Sequence, residues 1–192
     1  MDTTRQTICI KELNELKRDA QEMQKKGLPF MMASVVIWTL ILSVRLMNFE
    51  IARANLLTFM CSCFLMPLAF MFSKILRADI FKKTANPINK LGFLCTMNQM
   101  LYLIIVMWAF SREPEAMLML YACVFGAHLL PYSWIYDSKA YAVTAVIDTI
   151  GAVVISMIWG SVAAAIFMIV MQIILCIILF TDIRKAKTEV EG

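Results

Sequence analysis

His128 is the single histidine of this 192-residue chain, and Asp148 is the one acid that lies neither near a segment end nor in a connecting stretch. The turn between their apolar segments is Asp137-Ser138-Lys139, with His128 ten residues before Ser138 and Asp148 ten after it. In an antiparallel helical hairpin, equal offsets mean equal depth, about 15 Å from the turn at about 1.5 Å per residue. Half of a bilayer's hydrocarbon core is also about 15 Å. Ionisable groups at that depth are costly, face a bundle interior or a water-filled cavity, and mark functional sites. A histidine and an aspartate at one depth can share a proton. The spacing therefore predicts a pH-sensitive pair, in contact directly or through one water or polar bridge.

Other polar side chains gather at the same level. Asn98 and Gln99 flank Met100 at the centre of one apolar run, and Gln172 adjoins Met171 at the centre of another. Tyr121, His128 and Tyr132 share a helix face, and Pro131 beside them frees the Ala127 carbonyl. Ala145, Thr149, Ala152, Ser156 and Gly160 form a small-residue stripe that Asp148 flanks, so Asp148 faces another helix. Asn55, Thr58, Ser62, Ala69 and Ser73 line one face of a segment that Pro67 kinks. Polar groups in hydrocarbon must find partners, which predicts an inward-facing midplane site of His128, Asp148, Asn98, Gln99, Gln172, Tyr121 and Tyr132. The plainer alternative is structural glue, since interhelical hydrogen bonds of this kind are worth only about 0.6 kcal/mol on average.

The elements that must position these residues follow from composition. The chain is 61% hydrophobic with a mean hydropathy of +0.74, beyond the roughly 45–50% apolar content of soluble domains. The expected fold is an all-α polytopic membrane protein, a bundle of six transmembrane helices. The spans read at about 28–48, 54–73, 91–110, 116–136, 140–159 and 162–181, each within the roughly 17–25 residues that crossing requires. Pro29, Asn86-Pro87, Pro114 and Gly160-Ser161 punctuate the ends. Residues 1–27 precede the six-helix domain at 28–181, and a charged tail follows at 182–192. Within the first stretch, residues 8–23 form an amphipathic helix with Leu13, Leu16, Ala20 and Met23 on one face. It should lie along the inner leaflet or the base of the bundle. A second headgroup-level element is expected at Ala78 to Lys90, with Ile80, Phe81, Lys82 and Lys83. No signal peptide is read at the start, where acids and bases mix and the first apolar run exceeds an h-region.

Several chemistries find no support. Five of the six cysteines lie inside apolar runs and read as small hydrophobes, and Cys61 and Cys63 point about 200° apart on a helix. No metal site or cofactor is expected. An enzyme would need an assembled nucleophile, metal set or acid pair. One histidine and one midplane acid are too few, and Ser62 lacks a glycine-flanked nucleophile turn. The basic residues follow membrane topology and indicate no nucleic acid.

Three stretches are familiar together: Lys25 to Ile41 (KKGLPFMMASVVIWTLI), Lys90 to Ser111 (KLGFLCTMNQMLYLIIVMWAFS) and Phe125 to Tyr136 (FGAHLLPYSWIY). They resemble a family of bacterial inner-membrane proteins of about this length, known only as a domain of unknown function. The resemblance covers most of the chain. It implies a bacterial plasma-membrane location and no activity, substrate or site residue.

Two functions are open. One is binding or transport of a small solute or proton through the midplane site. The other is a non-transporting scaffold, sensor or stress or immunity factor, acting as a homo-oligomer or with a partner membrane protein. Topology is more sharply specified. Fifteen Lys and Arg fall in the N-terminal stretch, the second and fourth connections and the C-terminus, against three (Arg45, Arg53 and Arg112) on the other side. By the positive-inside rule both termini are cytoplasmic. Reporter fusions after Phe49 and after Glu113 are expected to read as extracytoplasmic; a cytoplasmic signal at either breaks this topology.

Overall fold

The structure, a computed structural model, describes residues 3–80 and 84–191. Helix α1 (Thr3–Gln24) passes through a 3-10 turn at Lys25–Gly27 into α2 (Leu28–Leu46). Then come α3 (Ile51–Ser62), α4 (Leu65–Leu76), α5 (Pro87–Arg112), α6 (Met117–Ala127), α7 (Leu130–Ile135) and α8 (Lys139–Glu191). Among the described residues five helical segments are long and apolar enough to cross a membrane: Ile10–Leu46, Ile51–Leu76, Pro87–Arg112, Met117–Ile135 and Lys139–Ala186. Leu101, Ile104 and Met107 on α5, and Ile150, Met157 and Ile158 on α8, stand exposed, an apolar surface that only lipid or protein can cover.

Each break in these segments has a local cause. Proline lacks an N–H and its ring clashes with the carbonyl four residues back. For Pro67 that residue is Cys63, where α3 gives way to α4; for Pro131 it is Ala127, where α6 gives way to α7. Both breaks tighten to i→i−3 bonds, Phe64 N to Cys61 O and Leu129 N to Gly126 O. Within α8, Gly160 has φ 80° and ψ −176°, a conformation essentially confined to glycine. Gln172 Nε2 lies 2.8 Å from Asp148 Oδ2, whereas a straight helix would separate the two residues by about 36 Å. The arms 139–159 and 161–191 therefore fold back on each other at Gly160, where the turn was expected.

Close packing holds the arms in register. At Gly126 on α6, an added Cβ would lie 2.8 Å from both the Thr149 nitrogen and the Asp148 Cβ, and at Gly151 it would overlap the Phe167 ring of the returning arm. Helix α2 packs on α8 and α4, while α6 packs on α8 and α5. Between them they bury Trp38, Ile41, Met117, Leu129, Met168 and Leu175. One end of the bundle is tied by the Tyr141 hydroxyl donating to the Lys26 carbonyl (2.7 Å) and by Lys26 Nζ 3.9 Å from Asp182. The other end is tied by Asn55, which accepts from Arg45 Nη2 (2.6 Å) and donates to the Pro114 carbonyl (2.8 Å).

Helix α1 docks under the first of these ends. Ala20 is buried, Leu13, Leu16 and Met23 are half-buried, and Asn86 Nδ2 donates to the Leu16 carbonyl and to Asp19. Lys17 sits 3.8 Å above the Trp134 ring. The same docking covers Tyr136 and Tyr141, whose hydroxyls bond Gln24 and Lys26 where α1 ends, whereas Trp108, Trp134 and Trp159 are exposed. Trp38 is a core residue. Of the second headgroup-level element, Asp79 bonds back to the Met23 carbonyl, and Phe81, Lys82 and Lys83 lie outside the described residues.

Because a backbone nitrogen faces Gly126, the Gly126→Ala variant should lose about 1–3 kcal/mol, the usual cost of overpacking. Gly92→Ala, whose Cβ would meet only Ile135 Cδ1 at 3.9 Å, should be close to neutral. Thermal unfolding in detergent reads both; equal melting temperatures for the two variants would refute the close-approach account.

Candidate functional site

The two proline breaks open onto one cavity of about 240 Å³. The first contributes Ser62, Leu65 and Met66; the second contributes His128 and Tyr132. Helix α5 supplies Gly92, Thr96, Gln99 and Met100, and α2 supplies Ser34 and Trp38. Among the described residues no charged one lines it. Irregular backbone at membrane depth is tolerated where it borders a cavity, and interrupted apolar helices are the recurrent builders of midplane sites in transporters.

His128 occupies the break itself, as the residue after α6. Its Nδ1 bonds the Phe125 carbonyl, and a carbonyl only accepts, so Nδ1 carries the hydrogen and Nε2 is left as an acceptor. The ring packs edge-on against Phe125 (5.1 Å) and Tyr132 (6.0 Å). Tyr121 and Ser62 share a hydrogen bond of 2.7 Å across the cavity wall, and Tyr132 and Thr96 another of 2.7 Å. Gln99 lines the cavity with no hydrogen-bond partner among the described residues. At the floor the Tyr136 hydroxyl donates to Gln24 Oε1 (2.6 Å), and Gln24 Nε2 donates to Asn89 (2.7 Å). Among the described residues no three His, Cys, Asp or Glu converge. What the wall offers is hydrogen bonding within aromatic surroundings.

Asp148 and Gln172 form a second, separate group. Both are 0% exposed. Gln172 Nε2 donates to Asp148 Oδ2 at 2.8 Å, and its Oε1 faces the Ser34 hydroxyl at 3.4 Å. Ser34 Oγ in turn donates to the Met31 carbonyl at 2.7 Å. Asp148 Oδ1 is buried without a hydrogen-bond partner among the described residues. Ser34 also lines the cavity, so it belongs to both groups.

The seven residues expected at one midplane site are thus divided. His128, Gln99, Tyr121 and Tyr132 meet at the cavity, while Asp148 and Gln172 meet beside it. No hydrogen bond or ion pair joins His128 to Asp148, so the direct form of the pairing read from equal depth is not found. The depth itself is close, since Gly126, two residues before His128, lies against Asp148. Residues two apart on a helix point about 200° apart. With Gly126 on α8, His128 turns to the opposite side. Asn98 is corrected for a like reason: it is exposed and bonds Tyr102 (3.0 Å), its neighbour Gln99 having taken the inward direction. Ser34, Thr96, Gln24 and Asn89 were not read as site residues. Ser34 carried a usable signal, as the one hydroxyl on the apolar Met31, Ile37, Trp38 and Ile41 face of α2.

Tyr132→Phe should lose about 1 kcal/mol, the usual net worth of a hydrogen bond, and Thr96→Val should be coupled to it in a double-mutant cycle. Denaturant unfolding of the four proteins measures the coupling; strict additivity would mean that the contact contributes nothing.

No curated protein matches the chain. No solved structure matches it either. A family model does, over residues 13–182, and the chain therefore belongs to the family of unknown function DUF7010.

Proposed function

We propose that this is a multi-pass membrane protein of the bacterial plasma membrane that takes a small uncharged solute into the cavity between α2, α4, α5 and the α6–α7 break. The observation that carries the reading is the cavity's lining, which among the described residues offers an unpaired amide at Gln99, an acceptor at His128 Nε2, hydroxyls, aromatic rings and no charge. Its volume of about 240 Å³ is below the roughly 300–1,000 Å³ of drug-sized sites. The occupant is then a molecule of about one ring or short chain with one or two hydrogen-bonding groups. The route in is lateral. Helix α4 packs chiefly on α2 and α5 chiefly on α6, and the rim between them is formed by Met66, Phe93 and Met100, which are 45%, 62% and 44% exposed. Such a rim faces lipid.

The topology in this proposal is six crossings with both termini cytoplasmic. It is supported by the fold-back at Gly160, by the Lys26–Asp182 contact between the start of α2 and the end of α8, and by the fifteen-to-three division of basic residues. A second reading, a membrane sensor, is favoured by one contact: Gln24 of α1 forms part of the cavity floor. A solute in the cavity would then be felt by the helix that lies outside the bundle.

A phenol that carries a heavy atom, 4-bromophenol, matches the wall and quenches tryptophan. In protein with Trp108, Trp134 and Trp159 replaced by Phe, it should quench Trp38 saturably. Thr96→Phe, which fills the cavity, should abolish saturation, and Gln99→Leu should weaken the apparent affinity by about threefold to tenfold, as loss of one hydrogen bond implies. Linear quenching that is indifferent to Thr96→Phe would overturn the reading.

A further inference from the structure

We propose that Asp148 is a proton-binding site and that Gln172 and Ser34 couple its protonation to the wall of the cavity. This goes beyond solute binding, because the proton site requires nothing in the cavity. Asp148 is fully buried with one carboxylate oxygen bonded to the Gln172 amide and the other without a partner among the described residues. The elements packed around it bring no opposite charge. Helix α6 presents Gly126, with the Cys123 thiol directed at the Thr149 carbonyl (3.7 Å). The returning arm presents Gln172, with the Cys176 thiol one turn further on, and α2 presents Ser34. The His128 ring lies across α6, in the cavity. Among the described residues no lysine, arginine or histidine pairs with Asp148.

An ionised carboxylate held by a single donor in such surroundings is costly, and a proton removes the charge. The neutral acid then needs an acceptor for its O–H. An amide carries its acceptor and its donors on a nearly symmetrical end, so Gln172 serves either state. With Asp148 ionised, Nε2 donates to the carboxylate and Oε1 faces Ser34, the arrangement in the structure. With Asp148 protonated, the amide turns over: the acid O–H donates to Oε1, and Nε2 donates to Ser34 Oγ. Ser34 thus changes from facing an acceptor to receiving a hydrogen bond. Its hydroxyl is in the cavity wall, one helical turn from Trp38. A proton gained on one side of α2 is therefore felt on the other.

The test uses the full chain in lipid nanodiscs, with Trp38 as the sole tryptophan. On lowering the pH, infrared difference spectra should show a protonated-carboxyl C=O band that is lost in Asp148→Asn, and Trp38 emission should change with the same midpoint. Gln172→Leu and Ser34→Ala should each keep the infrared band and lose the Trp38 response. Circular dichroism establishes that each variant is folded, and either coupling variant suffices if the other fails. The proposal is overturned if no titrating band belongs to Asp148 over the pH range in which the protein stays folded. It is also overturned if the Trp38 response survives Asp148→Asn or survives the folded coupling variant.

Discussion

The backbone contact at Gly126 is the constraint on which the arrangement rests. Helix α6 approaches α8 closely enough that the Thr149 nitrogen would touch a methyl group added there. Without a hydrophobic drive between helices in lipid, such close approach of backbones at small residues is the main source of association. It fixes how far α6 is rotated, and rotation decides the rest. With Gly126 turned to α8, Phe125 and Tyr121 reach Trp38 at 5.7 and 5.6 Å, and His128 is carried into the cavity. The same contact places Asp148 under the cover of α6, away from lipid.

From that rotation comes a division of labour among polar groups that all lie near one depth. Those on the cavity side of α6 keep unused hydrogen-bonding capacity, at His128 Nε2 and the Gln99 amide. Those on the α8 side are sealed, and the carboxylate must make do with an amide. The prolines make the first group possible. A continuous α6 would have spent the Ala127 carbonyl on residue 131 and closed the wall.

Much of the architecture was legible in the chain. Pro87 begins α5 where the Asn86 side chain caps it by accepting from Ile88 N at 2.9 Å, and Gly160 reverses α8 where a turn was read. Both signals are local, set by a missing N–H or a missing Cβ. That His128 and Asp148 lie at nearly one level was legible too, because rise per residue is nearly constant. Azimuth was not. Whether His128 or Gly126 faces α8 depends on which side chains fit against Asp148 and Thr149, a matter of tertiary packing. The same ambiguity separated Gln99 from Asn98. Ser34 escaped notice because a lone serine in an apolar stripe is commonplace until its partner on another helix is known.

Gly160 carries one more consequence. A side chain there would meet nothing within 4 Å, so the turn borders open space. Extra residues would relax the angle at little entropic expense, since loop closure grows only slowly with length. The tip between the two arms of α8 is thus the point where this protein can accept new sequence, such as an epitope or a small folded tag, while the arms below remain packed.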